Sequence, residues 1–150
     1  GARYGTGTAI IAYGATGSAN LNVSNLVSDV GAVSADVSGV GDIAYGRASA
    51  EYGGDKCFFA YGWQSSVESV KNLVSNSGVV AANVTGVGTA RGFPSGASLG
   101  SRQTAIVIGG QPPSGGVTGI SNLVSNVGVV ASDTAGVATA RKEAGATEFG

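Results

Sequence analysis

The chain has no histidine, one cysteine and few charges, and each shortage closes off a class of chemistry. Without histidine there are no His-based triads, no usual zinc site and few general-base schemes. Cys57 has no second cysteine to pair with. It lies in the apolar run "DKCFFAYG" and reads as a buried structural thiol, because a reactive one needs a basic, partly exposed setting. Charged residues make up 11% and the formal net charge is -1, which leaves no electrostatic footprint for nucleic acid or an anionic membrane. Long apolar runs are also missing. "TAIIAYG" and "TAIVIGG" are strand-sized, so no membrane-inserted segment is expected. The opening "GARYG" holds neither Met nor a signal-like segment, which fits a processed chain or a piece of a longer one.

What is abundant is glycine, at 27 residues, with serine, valine and alanine. That profile suits turn-rich β structure. Disorder would require low hydrophobicity and high net charge. The dominant feature is repetition. "NLVSDVGAVSADVSGVGDIAYGR" from Asn25 returns as "NLVSNSGVVAANVTGVGTAR" from Asn72 and "NLVSNVGVVASDTAGVATAR" from Asn122. A second phrase precedes each: "YGTGTAIIAYG" from Tyr4, "YGGDKCFFAYG" from Tyr52 and "LGSRQTAIVIG" from Leu99. Gly5, Gly53, Gly100 and Gly150 hold one place in the pattern, separated by 48, 47 and 50 residues. A period of about 40 to 50 residues fits a propeller blade and exceeds one coil of a leucine-rich horseshoe. The chain therefore divides as a single repeat domain with units at 4–51, 52–98 and 99–148.

Each unit reads as four short antiparallel strands, a to d. Strand a is rich in small residues: "RASAEY", "SGASL" and, at 144–149, "AGATEF", a spare first strand. Strand b is "TAIIAY", "CFFAY" or "TAIVI"; strand c contains "NLVS"; strand d covers 31–37, 78–84 or 128–134. Val, Ile, Phe and Tyr between Gly, Asn and Ser punctuation is a strand-and-turn signature. No stretch sustains a helical period. "SDVG", "SNSG" and "SNVG" carry type I turn chemistry between c and d. Asp36, Asn83 and Asp133 follow, each three residues before a glycine, and are expected to bond the amides just ahead and end the strand. One carboxylate per unit is far short of the six to eight oxygens calcium takes. Blades cannot cover their own apolar faces, so repetition supplies neighbours.

The units resemble kelch-type β-propeller repeats. Those carry a glycine pair after strand b, here Gly109–Gly110, with single glycines Gly14 and Gly62 behind Tyr13 and Tyr61 in the other units. Arg47, Arg91 and Arg141 stand where the kelch arginine belongs; the kelch tryptophan on strand d is absent. The plainer reading of these arginines is structural, a five-donor group tying carbonyls of adjacent blades together. The alternative, a basic ring holding phosphate or a sialic-type carboxylate, is weakened by the lack of nearby cations. The phrases "GGDKCFFAYG" and "NLVSNSGVV" are similar to repeat arrays in virion structural proteins of tailed bacteriophages, marine ones especially. That resemblance implies a non-enzymatic particle component located in the virion, whose partners are copies of itself or other virion proteins. A β-helical or triple-stranded fibre is the alternative fold.

The internal copies also show where variation lies. From Gly5 to Gly14, Gly53 to Gly62 and Gly100 to Gly109 the count is nine, which predicts a–b turns of constant length. All length variation is then expected in the b–c and d–a connections, on the opposite face. That face carries Tyr45, Trp63, Gln64, Glu68 and Gln111, residues suited to a host-surface glycan or receptor. Paired carboxylates for glycoside hydrolysis do not recur, and neither catalytic residues nor a cofactor are expected. Three units would not close a ring of about four to eight blades. If these are all the units, two copies are expected to give six, with 144–149 filling a neighbour's incomplete blade; in a longer chain further blades are expected on either side, and in both cases a homo-oligomer or a larger assembly.

Overall fold

The structure is a computed structural model and describes residues 1–148. It is all-β. The strands are β1 (Ala2–Tyr4), β2 (Thr8–Ala15), β3 (Asn20–Val27), β4 (Ala48–Tyr52), β5 (Lys56–Trp63), β6 (Val67–Val74), β7 (Ser95–Leu99), β8 (Thr104–Ile108) and β9 (Ser121–Val124). They form three three-stranded antiparallel sheets, β1-β2-β3, β4-β5-β6 and β7-β8-β9, one per repeat. Among the described residues no ladder runs parallel between units, the pairing that a β-helical fibre requires.

The fourth strand of each unit is not a continuous ladder. Residues 33–37 pair with β3 at two isolated bridges, Val27–Val33 and Ser24–Val37, and the same two bridges recur as Val74–Val80 with Lys71–Val84 and Val124–Val130 with Ser121–Thr134. The cause is a side chain inserted into the ladder. Asn25, Asn72 and Asn122 each donate Nδ2 to a carbonyl of the fourth segment, Ser34, Ala81 and Ala131, at 3.0–3.1 Å. Those carbonyls are thereby satisfied without regular pairing. The turn before them follows its Ser-to-Gly chemistry: Gly31, Gly78 and Gly128 donate to Ser28, Ser75 and Ser125 at 2.9–3.0 Å. Residues 144–148 form no strand, and Phe149 lies outside the described residues.

The register corrects the expected constancy of the a–b turns. Tyr4 faces Thr8 and Tyr52 faces Lys56, but Leu99 faces Thr104. The third turn thus holds one extra residue, with Ser101 and Arg102 at φ 52 and 65. The glycine count hides this because the third unit has no tyrosine before its bulge glycine. Tyr13, Tyr61 and Gly109 are true counterparts, at φ 62, 59 and 71, each followed by a glycine at φ 112–124. The d–a connections, in contrast, keep one length: Ala44, Arg91 and Arg141 each accept from the bulge glycine Gly14, Gly62 or Gly110. Length variation therefore lies in the b–c loops and the third a–b turn.

Two seams hold the sheets together. In the first, Tyr4, Ile10 and Tyr13 pack on Cys57, Phe59 and Val74. In the second, Ala50, Tyr52 and Phe58 pack on Ala105, Val107 and Val124. Each sheet presents alternate residues to the unit before and the unit after, so β5, with neighbours on both sides, is buried at every residue from Cys57 to Gly62.

Candidate functional site

The seams and the loop face meet at the bulges. There the arginines act. Arg91 is fully buried, its guanidinium 4.0 Å above the Tyr61 ring. It donates from Nε to Gly109 O (2.7 Å), and from its terminal nitrogens to Thr89 O (3.1 Å) and Asn122 Oδ1 (2.6 Å). Arg47 takes the same place at the first seam, 4.1 Å over Tyr13 and donating to Tyr61 O (3.0 Å). It arrives from a different backbone position: Ala44, not Arg47, is the backbone counterpart of Arg91. Each guanidinium thus stacks on a tyrosine of its own unit and binds a carbonyl of the next. Burial, the largest influence, pushes the Tyr61 phenol up, and Arg91 opposes it. Arg141 lies exposed and donates to Thr139 O (3.1 Å).

The acidic and amide residues of the fourth strand do not bond the amides just ahead of them, as expected from sequence. Asn83 and Asp133 reach back across the seam instead. Asp133 accepts from Asn122 Nδ2 (2.9 Å) and from Thr89 N and Oγ1 of the preceding unit (3.0 and 2.7 Å). Asn83 accepts from Asn72 Nδ2 (2.9 Å) and Asp42 N (3.3 Å). Asp36, in the first unit, accepts from Asn25 Nδ2 (2.8 Å). Against the upward pull of burial, the bonds from Thr89 and Asn122 hold the Asp133 carboxyl below its usual range.

On the loop face, Trp63 ends β5 just past the Tyr61–Gly62 bulge, which turns the strand end outward. Trp63 and Tyr45 exchange backbone hydrogen bonds of 3.0 and 2.8 Å, and Gly92 and Gln111 do the same one unit on. Phe93 sits between them at φ 57, its ring 5.6 Å from Tyr45 and 6.4 Å from Trp63. Lys142 Nζ lies 5.2 Å from the Phe93 centroid and donates to Gln111 Oε1 at 2.7 Å. A groove of about 350 Å³ runs beside Trp63, floored by Val67 and walled by Ser65, Gln111, Pro112 and Pro113. Aromatic and proline faces with hydroxyl and amide edges suit a flat, partly apolar ligand such as a sugar ring.

Of the residues proposed from sequence, Tyr45, Trp63 and Gln111 come together here. Gln64 borders the group and accepts through its carbonyl from Asn20 Nδ2 at 3.3 Å. Glu68 does not join it. It sits in the first seam beside Arg47 and Asp42, its Oε2 buried without a hydrogen-bond partner, and burial pushes its carboxyl up. Phe93 and Lys142 were missed; both lie in d–a connections, and only the positive φ of the former and the reach of the latter across a seam place them.

No protein-family model matches the chain, and no curated protein does. Among solved structures, that of YjhT is similar, with a TM-score of 0.60 at 13% identity over 83% of this chain. The match spans 41% of the YjhT chain, so it is a likeness of fold over part of a larger molecule.

Proposed function

We propose that the chain is a non-enzymatic structural component of a bacteriophage virion, its three units being four-stranded, kelch-like propeller blades. On this reading the pinned segments 31–37, 78–84 and 128–134 are the outer strands. The observation that carries it is the seam: the same stack of tyrosine, arginine and neighbouring carbonyl occurs at both junctions, with the same Asn–Asx clasp beside it. Buried polar residues spent on joining one unit to the next suit a load-bearing array. The phage phrases in the sequence supply the particle. Antibodies against the chain should decorate purified phage particles in electron micrographs. Decoration of host debris alone, with bare particles, would reject the assignment.

The groove favours a second reading, attachment to a host-surface glycan or receptor through Trp63 and Gln111. On a glycan array, Trp63→Ala should then abolish a signal that Asn76→Ala, on the opposite turns, preserves. Equal loss in both variants would remove the role of this face.

A further inference from the structure

Each contact that closes a seam leaves one unused half on the first unit and one on the third. At the first seam, Gly78 lies so close to Tyr4 and Leu26 that a Cβ would fall 2.8 and 2.9 Å from them. At the second, Gly128 meets Leu73 and Tyr52 at 2.9 and 3.1 Å. Gly31, their counterpart, has nothing within 4 Å, while Leu123, the counterpart of Leu26 and Leu73, is 53% exposed. Similarly, Gly5 and Gly53 abut the carbonyls of Asn76 and Asn126, whereas Gly100 faces open space. Ile11 is 52% exposed where its counterparts Phe59 and Val107 are 2% and 0%.

We propose that a second copy of this chain covers these halves. The face of its first unit carrying Ile11, Val27 and Val33 docks on the third-unit face carrying Leu99, Ile106 and Leu123. Arg141 then does for this junction what Arg91 does inside the chain. It donates to the carbonyl of the second copy's Tyr13, the counterpart of Gly109, and to Oδ1 of its Asn25, the counterpart of Asn122. The inference rests on the seams and not on the virion reading. Its stoichiometry follows from the blade reading: propellers close at about four to eight blades, and two copies of three units give six. Both junctions of the pair are then filled.

This junction is weaker than the internal two. Gly109 removes the tyrosine under Arg141 and leaves a cavity of about 270 Å³ lined by Ile108, Gly109, Gly119, Thr139 and Arg141. Ala138 replaces Gly41 and Gly88, whose Cβ atoms would fall 2.5 and 2.3 Å from the clasp residues Asn83 and Asp133. The corner that joins Thr89 to Asp133 therefore stays loose at Thr139. Residues 144–148 lie in the lane of the incoming inner strand, held by Ser95 Oγ to Ala144 O (2.6 Å) and by Arg102 to Glu148 (3.8 Å). They make no ladder, whereas β1 has three ladder pairs and buries Tyr4. The tail yields the lane, and strand exchange is not required.

Head-to-tail joining has a distinctive test. Ile11→Lys and Leu123→Lys both change exposed side chains, so each variant should fold, as circular dichroism will check. By sedimentation velocity the parent chain should run at twice its 14.5 kDa mass, with each variant's dissociation constant raised about a hundredfold. Mixed one to one, the variants should dimerise again, because the Ile11→Lys chain retains an intact third unit and the Leu123→Lys chain an intact first. A monomeric parent, a dimer indifferent to either substitution, or a mixture that stays monomeric would overturn the proposal.

Discussion

Arg91, Asp133 and Cys57 show how far a single residue could be read without its neighbours. Recurrence marked the arginines and Asx residues as structural, but not their partners, because those belong to another unit, 14 to 44 residues away. It also equated Arg47 with Arg91, whereas only their guanidinium positions coincide and their backbone origins differ. Arg91→Ala should cost about 3 kcal/mol in denaturant unfolding, since it leaves a cavity and strands the acceptors Gly109 O and Asn122 Oδ1. Arg141→Ala should leave the stability of the monomer unchanged within about 0.5 kcal/mol. Cys57 lies in the first seam, and burial pushes its thiol up to about 12 from 9.0. The folded chain keeps this proton longer than the unfolded one. The associated stability is thus complete below about pH 9 and lost as pH rises toward 12. The buried phenols of Tyr13 and Tyr61, also raised, steepen the same decline. Alkylation of the native thiol at pH 8 should be negligible and should follow global unfolding. Asp133 acts at the opposite end: its depressed carboxyl contributes stability that is lost as pH falls through its folded pKa. Asp133→Asn, which copies Asn83, should flatten the acid limb of the stability profile.

Strands proved the most legible elements. β7 and β8 coincide with the segments "SGASL" and "TAIVI", because small and β-branched residues between proline and glycine punctuation leave little other choice. The fourth strands were less legible, since an asparagine on the neighbouring strand takes the carbonyl that a ladder would use. The a–b turns misled for a different reason. An extra turn residue and a missing tyrosine cancel in the count from Gly100 to Gly109, so only pairing reveals the shift. The c–d turns carry a test of the seams. Gly31, Gly78 and Gly128 share φ near 80, so alanine meets equal backbone strain at all three. Gly31 is open, whereas Gly78 and Gly128 press on rings and leucines of the preceding unit. Gly78→Ala and Gly128→Ala should each cost about 1–3 kcal/mol beyond Gly31→Ala. Thermal unfolding below the concentration of self-association would measure the difference.

At the scale of the whole molecule, stability follows from the order of the units. Each sheet contacts its neighbours along the array, so the energy is close to a sum of unit terms and seam terms. The second unit takes part in both seams and the outer units in one each. This is visible in β5, buried from Cys57 to Gly62, against β2 and β9, which keep Ile11 and Leu123 half exposed. Amide exchange should therefore be slowest in β4 and β5 and fastest along β3 and the segment 31–37, whose outward face has no neighbour in the monomer. Substitutions on the two faces of β5 should separate the seams. Phe59→Ala opens the first seam, where it packs beside Tyr13, their rings 5.3 Å apart. Phe58→Ala opens the second. Each should cost about 3–5 kcal/mol. Phe59→Ala should speed exchange in the first unit while the third stays protected, and Phe58→Ala should do the reverse. Hydrogen–deuterium exchange read by mass spectrometry on peptides from β2 and β8 would decide it. A uniform rise across all three units in both variants would mean that the chain unfolds as one cooperative block and that the seams are not separable terms.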